Sequence, residues 1–260
     1  LVSGLEFAVA FIILSNIVSE LTSILVLFFF LPKKFHISKR DFVPEKESVK
    51  EVLGISLPTT GSRLIGNIGY FFEPIILTYV LLKVGYTNRF IVTEYGILNG
   101  YVMPMLMLPS FFTAAISQAL IPVISNAYIK RHMRYARDKI KQAIFFSLMI
   151  GIPTTIFFFC FPSLPLKLLY NTTEGVHYLR LLAPLFLIYY IQSPLTSALQ
   201  ATGKAGTAMQ GTIIGVFIRT FLLFSLSHLK IGMWGLLIAT MSNVFFVTFH
   251  HAYYLNKYLK

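Results

Sequence analysis

The sequence predicts an all-α fold, a polytopic membrane helix bundle of about seven transmembrane helices, on three observations. Hydrophobic residues make up 56% of the 260-residue chain and charged residues 12%, whereas a soluble domain carries about 25% charged residues. Mean hydropathy is +0.72. Apolar windows of about 20 residues, each able to cross a ~30 Å hydrocarbon core as a helix, recur along the chain, and basic residues collect in alternate gaps between them.

The windows fall at 4–31, 52–82, 94–128, 143–163, 176–200, 208–228 and 232–255. Leu1 opens inside an apolar run without a charged leader, so a signal peptide is not expected there, and the chain is expected to be the C-terminal part of a longer protein. The gap PKKFHISKRDFVPEKESVKE, 32–51, is the longest polar segment and mixes both signs, as a cytoplasmic linker between bundles does. Cys160 is the only cysteine, so an intramolecular disulfide or a cysteine-based metal cluster is excluded.

A net charge of +12 would suggest nucleic acid in a soluble protein, but the placement of the charges points to the membrane instead. Of 22 basic residues, fifteen fall on one side of alternating loops and five on the other; Arg63 and Arg219 lie within spans. The richer side is therefore expected to be cytoplasmic, with the linker and C-terminus on it, in a multi-pass plasma-membrane protein. The first residue is then expected outside, which implies an odd number of preceding spans if the full protein starts in the cytoplasm. Six bases against one acid in KRHMRYARDKIKQ, 130–142, act as a topology signal attracted to anionic lipid headgroups, about 1 kcal/mol per base, or as a capture site for substrate.

Prolines interrupt the second to fifth windows, at Pro58, Pro74, Pro104, Pro109, Pro122, Pro153, Pro162, Pro184 and Pro194, and none follows. Each removes a backbone hydrogen bond, so these four spans are expected to be broken, cavity-lining and mobile, and the last two straight. An internal echo runs through the same region. EVLGISLPTT (51–60) resembles SLMIGIPTT (147–155), and ALIPVISNA (119–127) parallels IQSPLTSALQATGKA (191–205). Such repeats typify transporters, whose sites lie between repeated bundles.

The second span carries a polar stripe. Ser56, Thr59, Thr60, Arg63, Gly66, Asn67 and Tyr70 follow three-and-four spacing, which places them on one helical face, with Glu73 on its flank. Arg63 lies about 16 Å into the span at the helical rise, near mid-bilayer, where a charge costs roughly a few to more than ten kcal/mol and marks a functional site by default. It either pairs with a buried acid, for which Glu20 in the first span is available, or contacts an anionic substrate in a central cavity. Arginine suits phosphate because its planar fork offers paired donors. Arg219 is a second candidate cation, with a structural role as the alternative. Glu73 and Glu20 either bind a coupling Na⁺ or H⁺ or neutralise an arginine, and Glu73 stands high enough to approach the outer interface.

Asn99, Gln118, Gln192, Gln200 and Asn243 also lie within spans, where interhelical hydrogen bonding accounts for most such residues. Asn99 and Gln118 join Arg63, Asn67, Tyr70 and Arg219 as candidate substrate-binding residues. The adjacent His250 and His251 point about 100° apart on a helix, a poor chelating pair, and are expected at the interface. Trp234 reads as an interfacial anchor, and Gly96 with Gly100 as a helix-packing pair. No nucleotide loop, metal motif or serine nucleophile elbow is present in the sequence, and no cofactor is expected.

The stretch TEYGILNGYVMPMLMLPSFFTAAISQALIPVISNAY, 93–128, closely resembles the eighth span of the stage V sporulation protein B and polysaccharide-exporter branch of the multidrug/oligosaccharidyl-lipid/polysaccharide (MOP) superfamily, which is MATE-like and also contains the lipid II flippases. LGISLPTT (53–60) is similar to the start of that family's seventh span, and SALQATGKAGTAM (197–209) to the end of its tenth. The resemblance implies two six-helix lobes, of which 1–31 is the last helix of the N-terminal lobe, 32–51 the cytoplasmic linker and 52–260 the C-terminal lobe. It also implies alternating-access movement of a polyprenyl-pyrophosphate-linked sugar, such as a lipid-linked oligosaccharide or a lipid II-type precursor. Glu73 falls near a position where this branch often has Asp, and the longer side chain departs from that pattern. The competing expectations are a cation-coupled multidrug antiporter of the same superfamily, which favours acidic cavity residues, a membrane enzyme acting on polyprenyl phosphates, which needs clustered His, Asp or Ser, and a non-transporting scaffold.

Overall fold

The computed structural model describes residues 2–30 and 46–259. The fold is all-α, with no strand among the described residues. These residues form two compact units, 1–49 and 50–260. The first contains α1 (Val2–Phe30), whose described side chains, Glu20 included, are exposed. Most of the expected linker, 32–45, lies outside the described residues, and its last residues already belong to the helix that follows.

The second unit begins within that helix, α2 (Lys46–Val84). Next come α3 (Asn88–Ile97), a π-helical turn (Leu98–Val102) and α4 (Met103–Ile129), which together make one span. They are followed by α5 (Met133–Cys160), the short α6 (Ser163–Tyr170), α7 (Val176–Ala201), α8 (Ala205–Ser227) and α9 (Trp234–Tyr258). Among the described residues seven helical segments are long and apolar enough to cross a membrane: 13–30, 52–84, 88–129, 133–160, 176–201, 205–227 and 234–258.

Local chemistry sets the breaks. Gly85, with φ of 106°, ends α2 by letting the Tyr86 amide reach the Leu81 carbonyl at 3.0 Å, the left-handed helix stop that glycine favours. Thr87 then caps α3 by accepting the Phe90 amide at 3.3 Å. Gly203 ends α7 in the same way, with the Lys204 amide on the Leu199 carbonyl at 2.8 Å. The basic run 130–142, outside the windows read from sequence, is helical from Met133, since long cationic side chains can leave a helix end for the interface.

Most prolines do not break their helices. Pro58, Pro74, Pro109, Pro122, Pro153, Pro184 and Pro194 all lie inside continuous helices. Packed neighbours make this tolerable in lipid. Pro104 follows the π-helical turn as the second residue of α4, where the wider ring accommodates the missing amide. Pro162 stands just beyond α5, as the N-cap of α6.

In the core α4, α5 and α7 pack together, and α8 and α9 pack on each other and on α7. One apolar cluster includes Leu81, Met105, Phe186, Tyr190 and Leu237; a second, toward the other end, includes Ile124, Ile140, Leu199 and Leu255. Tyr86 Oη donates to the Lys230 carbonyl at 2.6 Å, and Arg137 Nη2 to the Leu259 carbonyl at 2.7 Å, so loops are tied together at both ends of the bundle. The α5–α7 contact depends on Gly151, where a Cβ would meet Tyr190 Cδ2 at 2.7 Å and Leu187 Cδ1 at 3.1 Å. Tyr190 cannot retreat, because it is buried and its hydroxyl donates to the Leu106 carbonyl at 2.8 Å. Gly151→Ala is therefore expected to destabilise the protein by about 1–3 kcal/mol. Gly54→Ala, with open space around it, is the neutral control, and thermal unfolding in detergent compares the two.

Gly96 and Gly100 pack against nothing, since a Cβ on either has no neighbour within 4 Å. The pairing expected from their spacing is thus not made within the described residues; both face outward. The close approaches are at Gly61, facing Met209, and at Gly69, facing Val216, where α2 leans on α8.

Candidate functional site

The polar stripe of α2 faces a cavity of about 330 Å³ walled by α2, α4, α7 and α8. From α2 come Thr59, Ser62 and Arg63; from α4, Ser110 and Gln118; from α7, Tyr189, Gln192, Ser193, Thr196, Ser197 and Gln200; from α8, Ala208 and Thr212. The α7 residues stand at offsets of minus three, zero, one, four, five and eight from Gln192, a second polar stripe on one face. Gln192 to Gln200 covers about 12 Å at the helical rise. Because Gln200 is next to the last residue of α7, the cavity runs from mid-span toward the end of the bundle where the basic residues gather.

Arg63 is the only charged residue lining this cavity among the described residues, and no Asp or Glu joins it. Its side chain is exposed and has no hydrogen-bond or ion-pair partner among them. Such a site presents five guanidinium donors and many hydroxyl and amide groups, suited to an anion bearing hydroxyls.

A smaller cavity of about 150 Å³ continues the first and shares Tyr189, Gln192 and Thr212 with it. Tyr70 and Arg219 line it. Arg219 is only 7% exposed and forms an ion pair with Glu73, itself 4% exposed. Tyr95 Oη donates to the other Glu73 oxygen at 3.2 Å, and the Tyr70 ring lies 4.4 Å from the Arg219 guanidinium carbon. Four residues from α2, α3 and α8 thus form one network around a buried ion pair, in which the carboxylate meets the charge of Arg219 and the exposed Tyr70 ring adds a cation–π contact.

The structure corrects several expectations. Glu73 is buried at 4% exposure, and the arginine that it neutralises is Arg219. Asn67 is exposed and lines neither cavity. Asn99 sits in the π-helical turn with Nδ2 buried and unpartnered, away from both cavities. Glu20 has no partner among the described residues. His251 is buried within the protein, at 1% exposure. Gln118 does line the larger cavity, and Tyr70 and Arg219 the smaller. Sequence reasoning did not single out Ser110, Tyr189, Thr196 or Thr212, and gave Gln192 and Gln200 to helix packing; the α7 spacing is the signal that could have found the stripe. No group of three or more metal-ligating side chains is present among the described residues.

Comparison with known proteins agrees with this architecture. The polysaccharide biosynthesis protein family matches residues 1–128, and the MatE family matches 65–224. Stage V sporulation protein B of Bacillus subtilis (strain 168) is 34% identical over 98% of this chain and 51% of its own length. Sporulation protein YkvU of the same organism is 27% identical over 83% of this chain and 48% of its own. The chain thus spans about half the length of the curated relatives it matches. Among solved structures, a MATE in the bent conformation superposes with a TM-score of 0.73 at 20% identity, covering 89% of this chain and 51% of that one. An outward-facing multidrug resistance MATE transporter of the MOP superfamily gives 0.69 at 18% identity, over 92% and 53% of the two chains. With seven membrane-length helices, this fold and a family match over most of its residues, the chain belongs to the MatE family of multi-pass membrane proteins.

Proposed function

We propose that this chain forms one lobe, and the helix preceding it, of a flippase that moves a polyprenyl-pyrophosphate-linked sugar across the plasma membrane by alternating access. The observation that carries this is the unpaired Arg63 in an acid-free cavity rich in hydroxyls and amides. The pyrophosphate would take the guanidinium fork, and the sugar hydroxyls would exchange water for Gln118, Gln192 and Gln200, while the polyprenyl tail stays in lipid. The polysaccharide-biosynthesis match over 1–128 supports the same substrate class. In this reading α1 ends the N-terminal lobe, 32–51 is the linker, and the basic face is cytoplasmic, so the cavity is reached from the side where lipid-linked precursors are made.

Glu73 neutralises Arg219 in this proposal, which leaves it no free carboxylate for Na⁺. A cation antiporter would need an acid in the cavity, and none lines it among the described residues. The test is competition on the purified full-length protein. Geranylgeranyl pyrophosphate should bind, inorganic pyrophosphate should compete with it, and a cationic dye should not. Displacement by the dye and not by pyrophosphate would transfer the protein to the antiporter class.

A further inference from the structure

Behind the wall of the larger cavity lies His251 of α9. Two of its contacts, Thr196 and Ala208, are themselves cavity-lining residues. Its Nδ1 is 3.0 Å from Thr196 Oγ1, and its Nε2 is 3.2 Å from the Ala208 carbonyl oxygen. Gly211 allows α8 to come this close, since a Cβ there would stand 2.6 Å from His250 Nδ1 and 3.0 Å from His251 Nε2.

Counting hydrogens gives this arrangement two states. A carbonyl only accepts, so the Nε2 facing Ala208 carries a hydrogen. The Thr196 hydroxyl has a single hydrogen to donate and two acceptors within reach, the Gln192 carbonyl at 2.9 Å and His251 Nδ1. Donation to Nδ1 keeps the ring neutral and leaves the Gln192 carbonyl without this bond. Donation to Gln192 requires Nδ1 to carry a hydrogen too, which makes the ring an imidazolium with both N–H groups bonded. A buried cation needs its donors satisfied, and here a proton on Nδ1 needs only rotation of the Thr196 hydroxyl in the cavity wall.

Few charged or titratable groups face this ring. On its own helix His250 stands with ring centroids 5.9 Å apart and its Nδ1 buried and unpartnered, and the Tyr254 ring lies tilted against His250 at 4.6 Å. From α7 the facing group is Thr196, and from α8 the Ala208 carbonyl and Gly211. Lys204, at the start of α8, lies over the Tyr258 ring at 5.0 Å. Across the cavity stands Arg63. In an empty cavity a second cation behind the wall facing Arg63 is opposed by like charge, whereas a bound anion removes that opposition and attracts the proton.

We infer that His251 is a proton-binding site which takes up one proton from cavity water as the cavity takes an anionic headgroup. This rests on the anionic-headgroup reading above. The test uses purified full-length protein, with geranylgeranyl pyrophosphate titrated into weakly buffered solution and proton uptake followed by indicator dye. Wild type should take up close to one proton per ligand more than His251→Gln, whose amide imitates the neutral ring. Wild-type affinity should also fall with rising pH about tenfold per unit more steeply than that of the variant, by linkage. Titration of the ligand itself is common to both proteins and cancels.

His250→Gln should behave as wild type. If His251→Gln does not fold, Thr196→Val, which removes the acceptor needed by a protonated Nδ1, should reduce the uptake instead. Equal uptake and equal pH slopes in wild type and the variant, or loss of uptake on changing His250, would overturn the proton site alone, provided that binding still depends on Arg63. Absence of Arg63-dependent binding would sink both readings.

Discussion

Glu73→Ala is expected to destabilise the protein by about 3–5 kcal/mol, the usual cost of stranding one half of a buried ion pair. The substitution leaves Arg219 at 7% exposure with no carboxylate, and its Nε already lacks a partner. The Tyr70 ring supplies only a cation–π contact, about 2 kcal/mol when desolvated, which cannot replace a charge. The same physics makes the double variant Glu73→Ala/Arg219→Met the informative control. Methionine fills similar space without charge, and a well-packed apolar substitute for a buried pair is often neutral or better. Thermal unfolding in detergent should show a large loss for the single variant and recovery of most of it in the double. Equal losses would mean that Glu73 acts through something other than Arg219.

Arg63→Ala should have the opposite profile, with stability and membrane abundance preserved and transport lost. Nothing among the described residues depends on this side chain for pairing, so its removal strands no partner. A surface-like substitution of that kind stays within about 0.5 kcal/mol. A hydrogen bond to a charged group contributes about 1.5–3 kcal/mol, so loss of the guanidinium should weaken headgroup affinity by about ten- to a hundred-fold. Arg63→Lys keeps the charge without the planar fork and should fall between. Export of the lipid-linked sugar, normalised to protein in the membrane, measures this directly; unchanged export in Arg63→Ala would refute the assignment.

The membrane fold was legible because its signal is strong and local. Twenty apolar residues in a row admit few alternatives to a spanning helix, and the seven windows correspond to the seven spans with ends shifted by up to ten residues. Arg63 was legible for a related reason, since three-and-four spacing fixes which residues share a face before any packing is known. Glu73 and Arg219 are 146 positions apart, and no periodicity reports such a pairing; it follows from how α2 leans on α8 at Gly69. Proline misled because its effect on an isolated helix was carried into a bundle whose packed neighbours keep the helices continuous. His251 was hidden because its burial depends on Gly211 of another helix, which no feature near residue 251 discloses.

The larger cavity also bears on hydration. At roughly 30 Å³ per molecule, its 330 Å³ has room for on the order of ten waters between mid-span and the end of the bundle. A guanidinium bathed by that pool is spared most of the desolvation that hydrocarbon would impose. Headgroup entry must then displace the pool, so osmolytes that draw water from the chamber should favour occupancy, and the pull should grow with the size of the sugar.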